Sequence, residues 1–196
     1  MSDIIQLKIT LGWTKPPIWR RVLLEKTTTF EQLHYIIQIA MGWSNSHLHE
    51  FNLNGSRIAE PNEFVMDGWE EEIIDSSTVT LDGMLRQDAP GKFSYTYDFG
   101  DNWEHQLVVE KWLPRDAQTR YPVCVGGRLN TPPEDCGGIP GFYHLLEVMG
   151  NKKHPERKEL QEWLGGAYDP AFFDKEAVNQ QLASLDGYRQ SFRGLY

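Results

Sequence analysis

Residues 4–11, IIQLKITL, place Ile5, Leu7, Ile9 and Leu11 on alternate positions, with Gln6, Lys8 and Thr10 between them. Successive side chains of a strand point to opposite faces, so a period of two with one apolar set specifies a half-buried strand. The TKPP stretch ends it, and Ile18–Leu24 (IWRRVLL) reads as a second strand joined to the first through a proline-rich connection.

The segment TTTFEQLHYIIQIAMGW changes the period. Thr28 or Thr29 can cap a helix, with Glu31 or Gln32 three residues on to complete a capping box. Phe30, Leu33, Ile37, Ala40 and Met41 then share one face, Ile36 widens it, and Gly42 stands where a left-handed C-terminal cap belongs. His34 lies one position from this stripe and reads as a boundary residue.

Strand signals resume at HLHEFNLNG, where Asn54-Gly55 marks a tight turn. Residues 60–77 are acidic and read as an irregular surface excursion, and STVTLDGML as a short strand or a strand plus turn. Phe93–Phe99 and Trp103–Trp112 form two further strands joined through Gly100-Asp101-Asn102, with Phe93, Tyr95, Tyr97 and Phe99 in one aromatic row. After Pro114 the texture shifts. YPVCVGGRLNTPPEDCGGIPG has no periodicity and reads as a long structured loop. Helices follow over Phe142–Met149, Pro155–Leu164 and FDKEAVNQQLASL, the last capped by Asp174. Strands first and helices last give an α+β single domain over 1–196, sheet-rich to residue 113 and loop and helix from 114.

A net charge of −9 disfavours nucleic-acid binding, which depends on lysine and arginine displacing phosphate counterions. The basic face to weigh is Lys8, Arg20 and Arg21, with Lys152, Lys153, Arg157 and Lys158 as a later cluster diluted by Glu156 and Glu159. No apolar run approaches the roughly 18 residues of a membrane span, and no secretory leader is legible, so a cytoplasmic protein is expected. The cysteines, Cys124 and Cys136, are too few for a four-thiolate zinc site, and a disulfide does not suit a reducing compartment.

Polar residues concentrate in three places. His47 and His49 sit two apart, so on a strand both face one way about 7 Å apart, as a metal chelate needs. The alternative is two packed rings bonded to carbonyls or carboxylates. In YDFGDNWEHQ, Asp98, Asp101, Glu104 and His105 surround Trp103. Pairing Phe99 with Glu104 sets Asp98 opposite His105, a carboxylate–imidazole couple. Pairing Phe99 with Trp103 sets His105 opposite Tyr97 in the aromatic row. The third place is CVGGRLNTPPEDCGG, with Cys124, Glu134, Asp135 and Cys136; it lacks the lysine of a phosphate loop and any serine elbow.

Together PPIWRRV, SHLHEF, YDFGDNWEH and PPEDCGGIPGFYHLLEVM, in that order from about residue 4 to about 185, resemble the plasmid pRiA4b open-reading-frame-three-like family. Its members occur on plasmids, in transposons and in many bacterial and archaeal genomes, and some carry a resolvase-like label. The resemblance implies an α+β fold with a mixed or antiparallel sheet and helices packed on it; it brings no reaction, cofactor or catalytic residue. A serine recombinase needs an arginine-rich site and a basic DNA-binding unit, which this composition does not offer.

Three functions follow as expectations. The first is a non-enzymatic interaction module for a protein or peptide partner. Its pocket would be built from His47, His49, Asp98, Asp101, Trp103, His105, Glu134 and Asp135, with exposed tryptophans as anchors and no cofactor. The second is a metal-dependent hydrolase. A divalent transition metal would be held by His47 and His49 with Asp98, Asp101 or His105, or with Cys124 and Cys136, and Glu134 or Asp135 would serve as base. The third is a nucleic-acid-binding accessory of a mobile element.

Overall fold

The computed structural model describes residues 2–61, 73–87 and 91–192. The first two strands, β1 (Ile4–Leu11) and β2 (Trp19–Glu25), are antiparallel neighbours from Ile4 opposite Glu25 to Thr10 opposite Trp19. The period of two holds: Ile5, Leu7, Ile9 and Leu11 are buried beside Val22 and Leu24. Next comes helix α1 (Phe30–Met41). Thr29 caps it, its Oγ1 accepting from Gln32 N at 3.1 Å while Gln32 Oε1 accepts from Thr29 N at 3.0 Å. Gly42 ends it in the left-handed region at φ 76°.

Strands β3 (His49–Leu53) and β4 (Ser56–Ala59) turn through Asn54 and Gly55, both at positive φ. Then follow β5 (Ile73–Asp75), the one-turn helix α2 (Leu81–Met84), β6 (Lys92–Tyr97), β7 (Trp103–Leu113) and β8 (Val123–Arg128). These eight strands form one sheet ordered β5-β4-β3-β6-β7-β1-β2-β8, antiparallel except between β4 and β5, so it is mixed. Helices α3 (Gly138–Gly150), α4 (Arg157–Trp163), α5 (Lys175–Leu182) and α6 (Leu185–Phe192) complete an α+β fold. No described helix is long and apolar enough to cross a membrane.

Several expectations change. The acidic excursion at 60–77 lies largely outside the described residues, but Ile73–Asp75 is a strand, and the stretch expected as strand near Leu81 makes only a bridge, Thr29 to Thr80, before a helical turn. The glycine-rich stretch is not all loop, because β8 pairs with β2 as the last strand of the sheet. Its glycines conceal the pattern for a steric reason. A Cβ on Gly127 would stand 2.5 Å from the Phe173 ring and 2.9 Å from Arg20 Cδ, so the neighbours supply the packing that strand side chains normally do.

Helix α1 is also more deeply set than a one-faced stripe requires. The sheet covers one side, and α6 covers part of the other, with Tyr35 against Tyr188 and Phe192 and Arg189 bonded to Glu31 at 2.6 Å. His34 is therefore buried, not at a boundary. Its Nε2–H donates to Asn45 Oδ1 at 2.6 Å, which leaves Nδ1 to accept the Tyr95 hydroxyl at 2.8 Å.

Candidate functional site

The β6–β7 hairpin closes with Tyr97 opposite Trp103 and Tyr95 opposite His105, neither of the two pairings read from the sequence. Five residues, Asp98 to Asn102, make the turn, since Asp98 at φ 57° and Asn102 at φ 55° both leave the strand. Asp98 is fixed there three ways. Its N–H donates to Leu48 O at 2.9 Å, its carbonyl accepts from Asn102 N at 2.6 Å, and its Oδ1 accepts from Gly100 N at 2.9 Å. The Asp98–His105 couple therefore does not form. His105 sits in the core between Trp43 and Tyr95, and burial lowers its pKa to about 4, with the Tyr95 and Trp103 backbones opposing. Trp103 beside it is fully buried.

His47 and His49 part company. Strand β3 begins only at His49, so the two-residue repeat does not extend back to His47. The His49 ring stacks on His34 with centroids 3.4 Å apart and planes 6° from parallel. Burial first, and the neighbouring His34 second, hold its pKa well below the usual value. His34 is itself lowered by burial to about 3. Both rings are neutral core elements.

His47 instead faces the hairpin tip. Its Nε2 lies 3.7 Å from Asp98 Oδ2 and 3.2 Å from Asp135 Oδ1. Asp135 comes from the third polar stretch, which is tied down on both sides. Thr131 Oγ1 donates to Met41 O, Trp43 Nε1 donates to Pro132 O at 3.0 Å, and Gly137 N donates to Asp101 Oδ2 at 3.2 Å. Glu134 accepts the Tyr97 hydroxyl at 2.5 Å, Ser44 N–H at 2.8 Å and Ser44 O–H at 2.6 Å. Burial, then the bond to Glu134, push the Tyr97 phenol up, so it remains a donor. With its carboxylate so engaged, Glu134 is not a free base.

The structure thus brings together His47, Asp98 and Asp135, whose donor atoms all lie within 4.8 Å of one another. Asp101 and Glu134 flank this cluster as anchors. His49, Trp103, His105, Cys124 and Cys136 lie outside it. Burial pushes the Cys136 thiol up to about 12 and raises Cys124, which is buried on β8. Both are poor thiolates at neutral pH. Each of the three clustered residues is legible as a ligand type in the sequence, but the set is not, because its members come from three segments. Ser44 and Tyr97 carry no sequence signal for their anchoring role.

The spacing of the cluster fits an ion pair and fits a set of ligands as well. Bonds of about 2.0–2.1 Å at a tetrahedral angle place donor atoms about 3.3 Å apart, and the two measured separations straddle that. His47 Nε2 is shut off from solvent and makes no hydrogen bond, although two carboxylates face it. Asp98 is buried, with its side chain 11% exposed.

Over residues 3–177 the chain matches the model of the plasmid pRiA4b ORF-3-like proteins. It belongs to that family. A family relative, the uncharacterized protein y4hQ of Sinorhizobium fredii (strain NBRC 101917 / NGR234), is 33% identical over 186 residues, covering 94% of this chain and 93% of the relative. Among solved structures, a protein of unknown function, MM3350 from Methanosarcina mazei Go1, is similar with a TM-score of 0.79 and 33% identity, covering 88% of this chain and 96% of that one. Neither description attaches a reaction to this plasmid-named family.

The basic face weighed from the sequence is divided by the sheet. Arg20 points inward at 3% exposure, its guanidinium over Phe173 and its N–H groups on the carbonyls of Ala40, Trp19 and Arg128. Arg21 faces outward and is bound through two nitrogens to Glu110 at 2.6 and 2.8 Å. Lys8 lies over the Trp19 ring.

Proposed function

We propose that this protein binds a divalent transition-metal cation through His47, Asp98 and Asp135, as a site for metal-assisted hydrolysis. One observation carries the reading. A solvent-free imidazole nitrogen without a hydrogen bond faces two carboxylate oxygens at ligand spacing, one of them on a buried aspartate. Three protein donors leave further coordination positions for water or substrate, the arrangement of catalytic rather than structural sites. An ion held there lowers the pKa of bound water and polarises a substrate oxygen. One imidazole with two carboxylates suits zinc or manganese.

The test is calorimetric titration of untagged, chelator-treated full-length protein with Zn²⁺ and Mn²⁺. One ion per chain is expected, and Asp98→Asn weakens binding by tenfold or more. Asparagine tolerates positive φ and still accepts from Gly100 N, so the turn survives while the charged ligand is lost. No binding by the wild type, or equal binding by D98N, would overturn the reading.

A second reading, docking of a protein or peptide partner, is favoured by Trp13. Its side chain is among the large hydrophobic groups left open, 76% exposed, on a backbone at φ 61° that a bulky residue rarely adopts. Its Nε1 donates to Glu104 at 3.1 Å, which holds the ring at the surface. Trp19 and Trp112 are half-buried, Trp43 and Trp103 are buried, and Trp69 lies outside the described residues.

A further inference from the structure

The three ligands share one feature of placement. Immediately before His47, Asp98 and Asp135 in the chain stand Ser46, Tyr97 and Glu134, and these three are joined to one another. Ser46 N–H donates to Tyr97 Oη at 2.9 Å, and Tyr97 O–H donates to Glu134 Oε1 at 2.5 Å. The other Glu134 oxygen takes both donors of Ser44, whose hydroxyl lies 2.6 Å from that of Ser46. A single hydrogen-bonded knot therefore ties together the three backbone segments exactly one residue upstream of each ligand.

We infer that the Tyr97–Glu134 pair is a positioning device that templates the cation site, a role that rests on the reading of His47, Asp98 and Asp135 as its ligands. Two features of the ligands require such a device. The Asp135 side chain is 69% exposed, and its one polar contact among the described residues is His47. Nothing about the carboxylate itself keeps it in place, so its backbone must be placed by what flanks it. His47 lies outside the sheet ladder, so pairing with β6 does not set its direction. The knot adds to the bonds from Asp98 N to Leu48 O and from Gly137 N to Asp101 Oδ2 and acts one residue from each ligand. It fixes Ser44 and Ser46 before His47, and Glu134 before Asp135, against a phenol rooted in β6 next to Asp98.

The chemistry of the knot is directional. Tyr97 Oη accepts from the backbone at Ser46 and donates to Glu134, and the Glu134 carboxylate accepts three hydrogens. Glutamine at 134 would turn its NH₂ group toward either Ser44's donors or the phenol. In the first case two donors oppose; in the second the NH₂ donates to the phenol, whose own hydrogen loses its carboxylate acceptor. Phenylalanine at 97 keeps the ring packed against Trp43 and removes only the shared oxygen.

The test compares Mn²⁺ and Zn²⁺ dissociation constants for the full-length wild type, Tyr97→Phe and Glu134→Gln, measured where circular dichroism shows each metal-free protein folded. A third variant, Arg20→Lys, serves as a control that weakens the fold away from the knot. Removing groups that orient metal ligands typically costs 10–100-fold in affinity, and that loss is expected for Y97F and E134Q, with R20K binding as the wild type. Wild-type affinity in Y97F and E134Q would overturn the positioning role and leave the ligand assignment standing. An equal loss in R20K would overturn it as well, by reducing the effect to general destabilisation. A wild type that binds neither ion would overturn both inferences.

Discussion

Acidification from about pH 7.5 to about pH 5 should cost this fold about 4 kcal/mol through two buried imidazoles. Burial depresses His34 to about 3 and His105 to about 4, against 6.5 for the exposed ring of the unfolded chain. Between those values the unfolded chain carries a proton on each ring and the folded protein does not. Stability from these groups is therefore complete above 6.5 and is lost as pH falls through 6.5 toward the folded values. At about pH 5 the deficit is about 1.5 units per ring, or about 2 kcal/mol each. His49, stacked on His34 and depressed by the same burial, adds in the same direction. A domain stable by about 5–15 kcal/mol notices such a loss. Urea unfolding at the two pH values measures it, with an unchanged denaturant slope as the check that the same transition is followed. His105→Leu should shrink the pH dependence by about 2 kcal/mol whatever it does to absolute stability. A wild-type change below about 1 kcal/mol would refute the claim that these rings are neutral and sealed.

Two substitutions probe the packing that assembles the site. Gly138→Ala should destabilise by about 1–3 kcal/mol and weaken cation binding, because Gly138 is at φ 64° and its Cβ would stand 2.5 Å from the Asp101 carbonyl oxygen; thermal unfolding and calorimetry read the two effects. Arg20→Lys should cost about 1–3 kcal/mol in urea, since an ammonium on a shorter stem cannot serve the carbonyls of Ala40, Trp19 and Arg128 and also lie over Phe173. A loss under about 0.5 kcal/mol would place Arg20 among surface-like residues.

Some of the protein is written in short stretches. The alternation of Ile5, Leu7, Ile9 and Leu11, the Thr29–Gln32 capping box, the left-handed Gly42 and the Asn54-Gly55 turn each depend on residues within one turn or one strand. Their spacing alone suffices, because the deciding sterics and hydrogen bonds are local. The order of these elements likewise conveys an α+β arrangement.

Other features needed the whole chain. The hairpin register was set by how Asp98 is held by Leu48 and Gly100, not by the aromatic alternation, which fits more than one pairing. Strand β8 formed because Trp19, Phe173 and Arg20 fill the space over its glycines, so its packing residues lie far away in sequence. The cluster of His47, Asp98 and Asp135 is the extreme case. His47, Asp98 and Asp135 meet only in the folded chain, where bonds such as Tyr97 to Glu134, Asp98 to Leu48 and Gly137 to Asp101 hold three segments side by side, and contacts between distant segments leave no period for a sequence to display.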